Sequence, residues 1–190
     1  EMTKTHDRAV GLDTSISFVR AARGLADRKR LAFDLIMEGQ ITEKRACDLD
    51  PAFGFDQAEF IVADAMALPF RSRRFATVSS VNILEKVPDP LLHLAEANRV
   101  MHEKKARFLF SDPFSWDETV NSPALWLGGT NEGAFNGFGM DNICKLFQDP
   151  ESVFSPGFTI QDKGQVLWKI RKTRNLWEHI TSQFVVAERK

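Results

Sequence analysis

Short apolar runs, each closed by a polar residue, mark much of the first part of the chain. Four such runs occupy residues 8–12, 60–63, 75–81 and 106–110. Continuous runs of this length are typical of strands that are buried on both faces of a parallel sheet. The pattern therefore predicts four strands, which end close to Asp13, Asp64, Asn82 and Asp112.

Two amphipathic segments lie between these strands and predict helices. The first follows Asp13-Thr14-Ser15, all of which favour an N-cap. Its apolar face holds Phe18, Val19, Ala22 and Leu25. The second begins at Asp89-Pro90, an N-cap with proline at the first helical position. Its apolar face holds Leu91, Leu94, Ala97 and Met101.

Less regular segments fill much of the remaining chain. Residues 30–57 predict an insertion with a short hairpin that turns at Glu38-Gly39-Gln40, followed by an acidic, proline-containing loop. Residues 112–140 are loop-like, and Asp141 is placed to cap a short helix that runs through Phe147.

The tail predicts strands at residues 158–160 and 166–170, then a helix, then a closing strand at residues 183–187. The face of that helix holds Leu176, Trp177 and Ile180. The order of elements implies a right-handed, doubly wound α/β fold. We expect a mostly parallel, Rossmann-like sheet with a C-terminal antiparallel strand, in a single domain over residues 1–190.

The charge balance narrows the class of ligand. The chain has 25 basic and 26 acidic residues, so it lacks the positive field that attracts nucleic acid or an anionic bilayer. No apolar stretch approaches the ~20 residues that cross a bilayer. The cysteines and histidines lack the spacing of a disulfide framework or of most zinc sites. We therefore expect no nucleic acid, membrane or metal ligand, and a reducing, cytoplasmic setting.

Polar side chains at the strand ends are the candidates for ligand binding, because open α/β sheets bind ligands beyond the carboxyl ends of their strands. A carboxylate such as Asp13 offers two acceptor oxygens to the adjacent hydroxyls of a ribose. Asp64 opens residues 64–70, where a carboxylate and a neighbouring N–H match an adenine edge and Met66 provides apolar cover. Two alternatives stay open: Asp13 only caps the following helix, and Asp64 only shapes a turn.

Segments in the middle of the chain carry a family pattern. They are residues 64–70, 75–80, 83–90 and 95–100, with the motifs D-x-x-x-L-P-F, V-x-S-x-x-x-L-E-x-V-x-D-P and E-x-x-R-V. In this order they resemble class I S-adenosylmethionine-dependent methyltransferases, and residues 11–15 are similar to that family's ribose-binding turn. The resemblance implies S-adenosylmethionine as cofactor. It assigns Asp13 and Thr14 to the ribose, Asp64, Ala65 and Met66 to the adenine, and Asn82 and Ile83 to the methionine end.

A narrower resemblance covers residues 7–15, 38–41, 112–116 and 126–129. These segments resemble the methyltransferase domain of ovothiol biosynthesis, which methylates a ring nitrogen of a mercaptohistidine. The resemblance implies a small-molecule acceptor. Aromatic residues of the 112–140 loop, among them Phe114, Trp116 and Trp126, are candidates for the wall of an acceptor pocket, with core packing as the alternative for each ring. Phe114 replaces the tyrosine of that family's S-P-Y-T-W pattern, and Asp112 adds a charge beside it.

Two departures from the pattern keep a non-catalytic alternative open. No Gly-rich turn precedes Asp13, so the N-terminal segment that holds the methionine moiety is expected to be missing, and Lys104-Lys105 stands where the family commonly has Gly-Gly. A methyltransferase-like binding or regulatory subunit accounts for both. No catalytic residue is assigned, because the sulfonium methyl is already activated and alignment supplies most of the rate. His93 and His179 are expected to be surface or packing residues in helices.

Overall fold

The computed structural model describes residues 2–50 and 54–190, so part of the predicted loop, residues 51–53, lies outside the described residues. The strands are β1 (Ala9–Asp13), β2 (Arg30–Glu38), β3 (Ile41–Asp48), β4 (Ala58–Val62), β5 (Thr77–Val81), β6 (Arg107–Asp112), β7 (Phe158–Arg171) and β8 (Trp177–Arg189). The α-helices are α1 (Ile16–Arg28), α2 (Pro90–Val100) and α3 (Gly139–Gln148). Short 3-10 helices occupy Met2–Lys4, Leu84–Lys86 and Pro123–Leu125.

The chain folds as two compact units. Unit 1 comprises Glu1–Asp64 and Lys169–Glu178, and unit 2 comprises Ala65–Trp168 and His179–Lys190. No helix in the described ranges is both long and apolar enough to cross a membrane.

In unit 1, the parallel strands β1 and β4 lie where the apolar runs predict them. Gly11 is opposite Phe60, and Asp13 is opposite Val62. Because parallel partners point the same way, the carboxyl ends of both strands meet at one edge of this sheet. That edge carries the two carboxylates that the sequence singles out.

Helix α1 follows β1 and begins as predicted. The Ser15 hydroxyl oxygen accepts a hydrogen bond from the Phe18 N–H at 3.4 Å, and the helix ends at Lys29, whose φ of 57° is left-handed. Val19 is buried, but Phe18 is 67% exposed. The predicted apolar face is therefore wrong at Phe18, because consecutive helical residues point about 100° apart and the buried side passes through Val19.

The predicted insertion is an antiparallel hairpin of β2 and β3. Arg30 pairs with Asp48 at one end, and the turn at the other end contains Gly39 with a φ of 54°. The hairpin and the position of its turn are confirmed. The hairpin is longer than the short one predicted, because its strands continue through the polar and charged residues that follow Ile41.

The C-terminal elements differ from the prediction. A helix over Leu176, Trp177 and Ile180 is wrong: Trp177 and Ile180 belong to β8, together with His179. Leu176 and Ile180 are four residues apart, a spacing that places two side chains on one side of a helix and equally on one side of a strand. The segment between β7 and β8 contacts the hairpin of unit 1, because the Arg174 N–H donates to the Met37 carbonyl oxygen in β2 at 3.4 Å.

Unit 2 contains most of a four-stranded sheet with the order β5-β6-β8-β7. Strands β5 and β6 are parallel, with Ser80 opposite Phe110, and β6 and β8 are antiparallel, with Phe110 opposite Val185. The antiparallel closing strand is therefore confirmed. The described residues do not form the single, mostly parallel sheet that we expected. Strands β1 and β4 form a two-stranded sheet of their own, and neither β1 nor β5 has a second described strand beside it.

Helix α2 is capped by Asp89, whose Oδ1 accepts from the Leu92 N–H at 2.9 Å, and proline follows the cap as predicted. Helix α3 begins at Gly139 with Phe138 as the N-cap residue, so the prediction that Asp141 caps this helix is wrong. Asp141 instead lies in the first turn, where its charge suits the positive end of the helix dipole.

The hydrophobic core of unit 2 is built around phenylalanine. The fully buried rings are Phe108, Phe110, Phe147, Phe154 and Phe158. Their ring centroids are 4.6 to 6.3 Å apart in tilted and edge-on pairs. A phenol at any of these positions would need a partner for a buried hydroxyl, whereas phenylalanine needs none.

Candidate functional site

Two carboxylates follow the paired strands of unit 1. Asp13 ends β1, and Asp64 lies two residues beyond Val62, the β4 residue opposite Asp13. The Ala63 N–H donates to the main-chain oxygen of Asp13 at 3.2 Å, so the pairing continues up to the residue before Asp64. Both aspartates are exposed. The structure thus brings these two predicted residues to one sheet edge within one unit.

The Asp13 side chain uses one oxygen locally. Oδ1 accepts a hydrogen bond from the Ser15 N–H at 2.7 Å, which forms the turn into α1. The N-cap of α1 is Ser15 itself, so a capping role for Asp13 is not what the structure shows. Among the described residues Oδ2 has no hydrogen-bond partner. With the exposed Thr14 beside it, this edge retains an anionic acceptor that suits a diol.

In unit 2, the turn that begins at Ala65 is fixed by helix α2. His93 Nδ1 lies 3.2 Å from the carbonyl oxygen of Ala65, which is itself buried, and Glu96 Oε2 accepts from the Leu68 N–H at 2.8 Å. Met66 is half-buried in the same turn. The turn is therefore held through its main chain and presents a fixed backbone conformation.

Arg99, one turn further along α2, completes this attachment. Its guanidinium donates to the carbonyl oxygens of Phe70 and Leu68 at 2.8 and 2.9 Å and to both oxygens of Glu96. The hydrogen bond from Arg99 lowers the pKa of the Glu96 carboxyl below its usual value. The E-x-x-R part of the motif thus has a structural explanation: its charged residues hold the D-x-x-x-L-P-F turn.

His93 has a packing role, as predicted, but within a buried polar contact. It is 5% exposed, and its Nε2 lies 2.8 Å from the Ser80 Oγ in β5. The ring therefore connects α2, the end of β5 and the Ala65 turn through its two nitrogens.

Asn82 directly follows β5 and has a left-handed φ of 54°. Its Oδ1 accepts from the Ser182 hydroxyl at 2.7 Å and from the Ser111 hydroxyl at 3.3 Å, and its N–H donates to the Ser111 carbonyl at 2.7 Å. Asn82 thus connects the ends of β5, β6 and the middle of β8. Ile83, which follows, is half-buried and leads into the 3-10 helix Leu84–Lys86.

Asp112 lies at the end of β6 and organises the neighbouring loops. The sequence marked it as a polar strand end but assigned it no ligand. It is fully buried, and its carboxylate accepts from the Leu84 N–H and the Phe114 N–H, each at 2.9 Å. Burial raises the pKa of Asp112 to about 7, the nearby Glu85 charge adds to the rise, and the backbone N–H donors oppose it.

Phe114, Trp116 and Trp126 lie together in unit 2. The rings of Phe114 and Trp116 are 6.4 Å apart, and those of Trp116 and Trp126 are stacked at 5.8 Å with an interplanar angle of 14°. All three are half-buried, and Phe114 and Trp116 pack against the hydrophobic core of unit 2, so core packing remains an alternative for these rings. Phe114 has a left-handed φ of 55° and is held there by its hydrogen bond to Asp112.

The W-L-G-G motif allows this close packing. A Cβ on Gly128 would lie 2.4 Å from the main chain of Gly139, and one on Gly129 would lie 2.9 Å from the Trp116 ring. Gly129 also has a φ of 78°, a conformation that side chains other than glycine rarely adopt. Trp116 therefore stacks against Trp126 because the backbone beside it carries no side chain.

Asn121, which sequence reasoning did not single out, connects the aromatic residues to the 3-10 helix. Its buried side chain accepts from the Trp126 Nε1–H at 2.5 Å and donates to the Val87 carbonyl oxygen at 2.7 Å. Glu85 was missed as well. The one signal was a charged residue between the apolar Leu84 and Val87, a pattern that equally fits an exposed turn.

An apolar groove of about 360 Å³ lies in unit 2 beside the residues that flank Trp126. Its walls include Leu91, Leu92, Leu125, Leu127 and Phe135. Asp89 is its charged lining residue, and that carboxylate already caps α2. The groove offers space for an apolar group but little polar recognition.

Comparison with known proteins was informative at the level of family and fold. The family model described as "Methyltransferase domain" matches residues 1–106, just over half of the chain. No curated protein matches the chain.

Solved structures share the fold at low sequence identity. A protein from the conversion of a disulfide bond into a thioacetal group during echinomycin biosynthesis is 18% identical, with a TM-score of 0.56; the match covers 96% of this chain and 66% of that one. A SAM-dependent methyltransferase from Methanosarcina mazei is 18% identical, with a TM-score of 0.54 and coverage of 96% and 82%. The [4+2]-cyclase SpnF is 13% identical, with a TM-score of 0.52 and coverage of 96% and 66%.

Proposed function

This chain belongs to the SAM-dependent methyltransferase family whose domain model matches its residues 1–106, and from that premise we propose that the protein transfers the methyl group of S-adenosylmethionine to a small-molecule acceptor. The cofactor supplies an electrophilic methyl on a sulfonium, so the protein's task is to bind, orient and exclude water. We further propose that residues 1–190 act as one methyltransferase-like domain in the cytoplasm.

The observation that carries the proposal is the shared sheet edge of Asp13 and Asp64. In unit 1 both carboxylates follow parallel strands in register, and Asp13 keeps Oδ2 without a partner among the described residues. We assign Asp13 and Thr14 to the ribose and Asp64 to the adenine. From unit 2 we assign Ala65 and Met66 to the adenine and Asn82 and Ile83 to the methionine end.

The acceptor pocket is assigned to Phe114, Trp116 and Trp126. The stacked indoles offer a flat apolar surface to a planar acceptor. Thiol-bearing histidine derivatives, methylated on a ring nitrogen, are the first acceptors to assay, on the strength of the motif resemblance alone. Neither the family model nor the structural neighbours name such an acceptor.

The turn before β6 weakens one argument for the non-catalytic alternative, which was based partly on Lys104-Lys105 in place of Gly-Gly. Lys105 adopts a left-handed φ of 55°, so the chain makes there the type of turn that a glycine pair would allow. Lysine in place of glycine thus changes the strain of the turn rather than its conformation.

Isothermal titration with S-adenosylmethionine and S-adenosylhomocysteine tests the proposal. Asp13→Asn retains an oxygen that can accept from the Ser15 N–H but replaces the other oxygen by a donor. We expect this variant to bind both ligands about tenfold to a hundredfold more weakly, as for a lost hydrogen bond to a charged group. The exposed Asp27→Asn in α1 is the matched control and should bind normally. A whole protein that binds neither ligand would refute the proposal.

A further inference from the structure

Helix α2 holds the turn of residues 65–70 through main-chain atoms of the turn. His93 Nδ1 lies 3.2 Å from the Ala65 carbonyl oxygen, and Glu96 Oε2 accepts from the Leu68 N–H at 2.8 Å. Because His93 and Glu96 are three residues apart, both side chains lie on one side of the helix. Among the described residues, His93 is the hydrogen-bond partner of the Ala65 carbonyl oxygen, so the orientation of that carbonyl depends on this ring.

The two nitrogens of the His93 ring have different roles. A carbonyl oxygen only accepts, so the contact with Ala65 requires a hydrogen on Nδ1. In the neutral ring Nε2 then accepts from the Ser80 hydroxyl, whose oxygen lies 2.8 Å away. His93 and Ser80 are only 5% and 3% exposed, so water competes little for either contact. Ser80 therefore favours the form of the ring that donates to Ala65.

The contact with His93 orients a whole peptide group. The bond between Ala65 and Met66 is a trans peptide, in which the C=O and the N–H point in opposite directions. Since the carbonyl oxygen is directed to the buried ring, the Met66 N–H is directed away from it. Met66 is half-buried and Ala67 is exposed, so a ligand can reach this side of the turn. The peptide thus has its N–H, rather than its carbonyl oxygen, on the accessible side.

This orientation distinguishes two classes of purine. In adenine the ring nitrogen N1 is an acceptor, whereas in a 6-oxopurine such as hypoxanthine N1 carries a hydrogen and is a donor. A peptide N–H directed at the base therefore matches adenine and opposes a 6-oxopurine. If the peptide turned over, its carbonyl oxygen would accept from the N1–H of the 6-oxopurine instead. A site that is built to hydrogen-bond one edge rejects a ligand that lacks the matching group.

We propose that His93 is a positioning residue that sets the base specificity of the cofactor site: through the Ala65 carbonyl oxygen, it holds the peptide between Ala65 and Met66 with the N–H toward the base. The site therefore takes 6-aminopurine nucleosides and disfavours 6-oxopurine nucleosides. His93 acts through the turn and does not touch the ligand. This role rests on the proposed function, since it uses the assignment of Ala65 and Met66 to the adenine.

A role of His93 in packing alone leads to a different expectation. Loss of a packing contact would loosen the turn for every ligand alike, so the affinities for both purines would fall by one factor. Loss of the hydrogen bond to Ala65 also permits the peptide to turn over, which changes the ratio of the two affinities. That ratio therefore separates a positioning role from a packing role.

A matched pair of ligands measures the ratio. S-adenosylhomocysteine and S-inosylhomocysteine share the ribose and the amino acid and differ in the 6-amino group against the 6-oxo group of the base. Their affinities for the whole protein are measured by titration calorimetry. We expect the wild-type protein to bind the adenine compound at least about tenfold more tightly, as for a mismatched hydrogen bond.

Two substitutions of His93 separate its two nitrogens. In His93→Asn the amide nitrogen lies near the position of Nδ1 and can still donate to Ala65, so the preference should be retained. In His93→Gln the amide nitrogen lies near the position of Nε2, and the preference should fall to less than about threefold. His102→Asn replaces an exposed histidine of the same unit and is the matched control, which should keep the preference.

The protonation of the ring can be observed without changing His93. In a protein that carries His6→Gln, His102→Gln and His179→Gln, His93 is the remaining histidine, and proton–nitrogen NMR correlation distinguishes its two neutral tautomers. We expect the form with hydrogen on Nδ1, and the form with hydrogen on Nε2 would overturn the role of His93. If a substitution of His93 fails to fold, the tautomer and the wild-type preference decide the question.

The binding outcomes separate the role of His93 from the proposed function. A wild-type preference below about threefold, a preference that survives His93→Gln, or an equal loss of affinity for both compounds would overturn the role of His93. If S-adenosylhomocysteine binds in those cases, the proposed function stands. If the wild-type protein binds neither compound, the proposed function is refuted, and the role of His93 falls with it.

Discussion

The two units of this protein are stabilised differently. Unit 2 encloses a phenylalanine core in which every large ring is at most 2% exposed. In the described residues of unit 1, by contrast, Val19 and Gly24 are the buried positions, and Phe18 and Ile41 are 67% and 66% exposed. Unit 1 is therefore held mainly by strand pairing and local turns, and unit 2 mainly by burial of apolar surface. The proposed cofactor carboxylates lie in the first kind of structure and the proposed acceptor wall in the second.

The comparison is tested most strongly by removing one ring from each unit. Phe108→Ala in the core should lower the free energy of unfolding by about 3 to 5 kcal/mol, because a cavity remains where three neighbouring rings now make contact. Phe33→Ala in β2 is the matched change in unit 1, where the ring is 44% exposed, and should cost less than about 1 kcal/mol. Urea denaturation measures both. Equal losses would contradict the contrast.

A smaller difference is expected from pH, because Asp112 is a buried carboxyl and the described residues of unit 1 contain none. Its pKa is about 7 in the folded protein and near 3.8 unfolded, so folding takes up a proton between these values. Asp112 therefore favours folding most below about pH 4, and this contribution falls as pH rises to about 7 and stays lost above it. The total is on the order of a few kcal/mol.

Thermal unfolding of wild type and Asp112→Asn across pH 3 to 9 isolates this effect as the difference between two curves. The difference should change between about pH 4 and 7 and be flat above pH 8. The same experiment on Asp13→Asn is the control from unit 1, where the carboxylate is exposed. A flat difference for Asp112 would show that this carboxyl titrates alike in both states.

Next in size is the loss of an arginine from each unit. Arg99 holds the Ala65 turn with hydrogen bonds to two carbonyl oxygens and one carboxylate, whereas Arg23 in α1 donates once, to the Phe60 carbonyl oxygen at 2.7 Å. Lysine cannot reproduce the fork of the guanidinium. We expect Arg99→Lys to cost about 2 kcal/mol and Arg23→Lys less than about 0.5 kcal/mol in chemical denaturation. A larger cost for Arg23→Lys would reverse the comparison.

The smallest expected effect concerns two lysines with left-handed backbone. Lys105 in unit 2 has a φ of 55°, and replacement by glycine should stabilise the protein by about 0.5 to 1 kcal/mol in thermal melts. Lys29 in unit 1 has a φ of 57°, but its ammonium lies 4.4 Å from the centre of the Phe55 ring. Lys29→Gly should therefore be near neutral, since relief of strain is offset by loss of the cation–π contact. Stabilisation of both by the same amount would show that this contact contributes nothing.

Sequence reasoning succeeded where a signal is local. Strands β1, β4, β5 and β6 follow apolar runs, and Asp89-Pro90 specifies the start of α2 through the cap and the fixed φ of proline. It failed at Leu176 and Ile180 because one spacing fits two structures. It also could not join the strands into sheets, because pairing between strands far apart in the chain leaves no local pattern.

In the candidate site, too, local sequence signals located some residues, whereas others are recognised only from contacts in the folded chain. The positions of Asp13 and Asp64 at one edge follow from strand ends alone. Glu85 and Asn121 escaped notice because their importance comes from burial and from partners more than 20 residues away, such as Val87 for Asn121. Asp112 was noticed as a strand end, but its burial and its hold on two loops depend on the folded unit.

The place of β8 inside the four-stranded sheet has a consequence for biosynthesis. Its C-terminal half lies against β6, with Phe110 opposite Val185, yet it is translated after every other segment of unit 2. Until these residues leave the ribosome, the edge of β6 that pairs with β8 has no partner strand. Contacts this distant in sequence form slowly, so during this interval β6 presents an unpaired strand edge to which another chain can add.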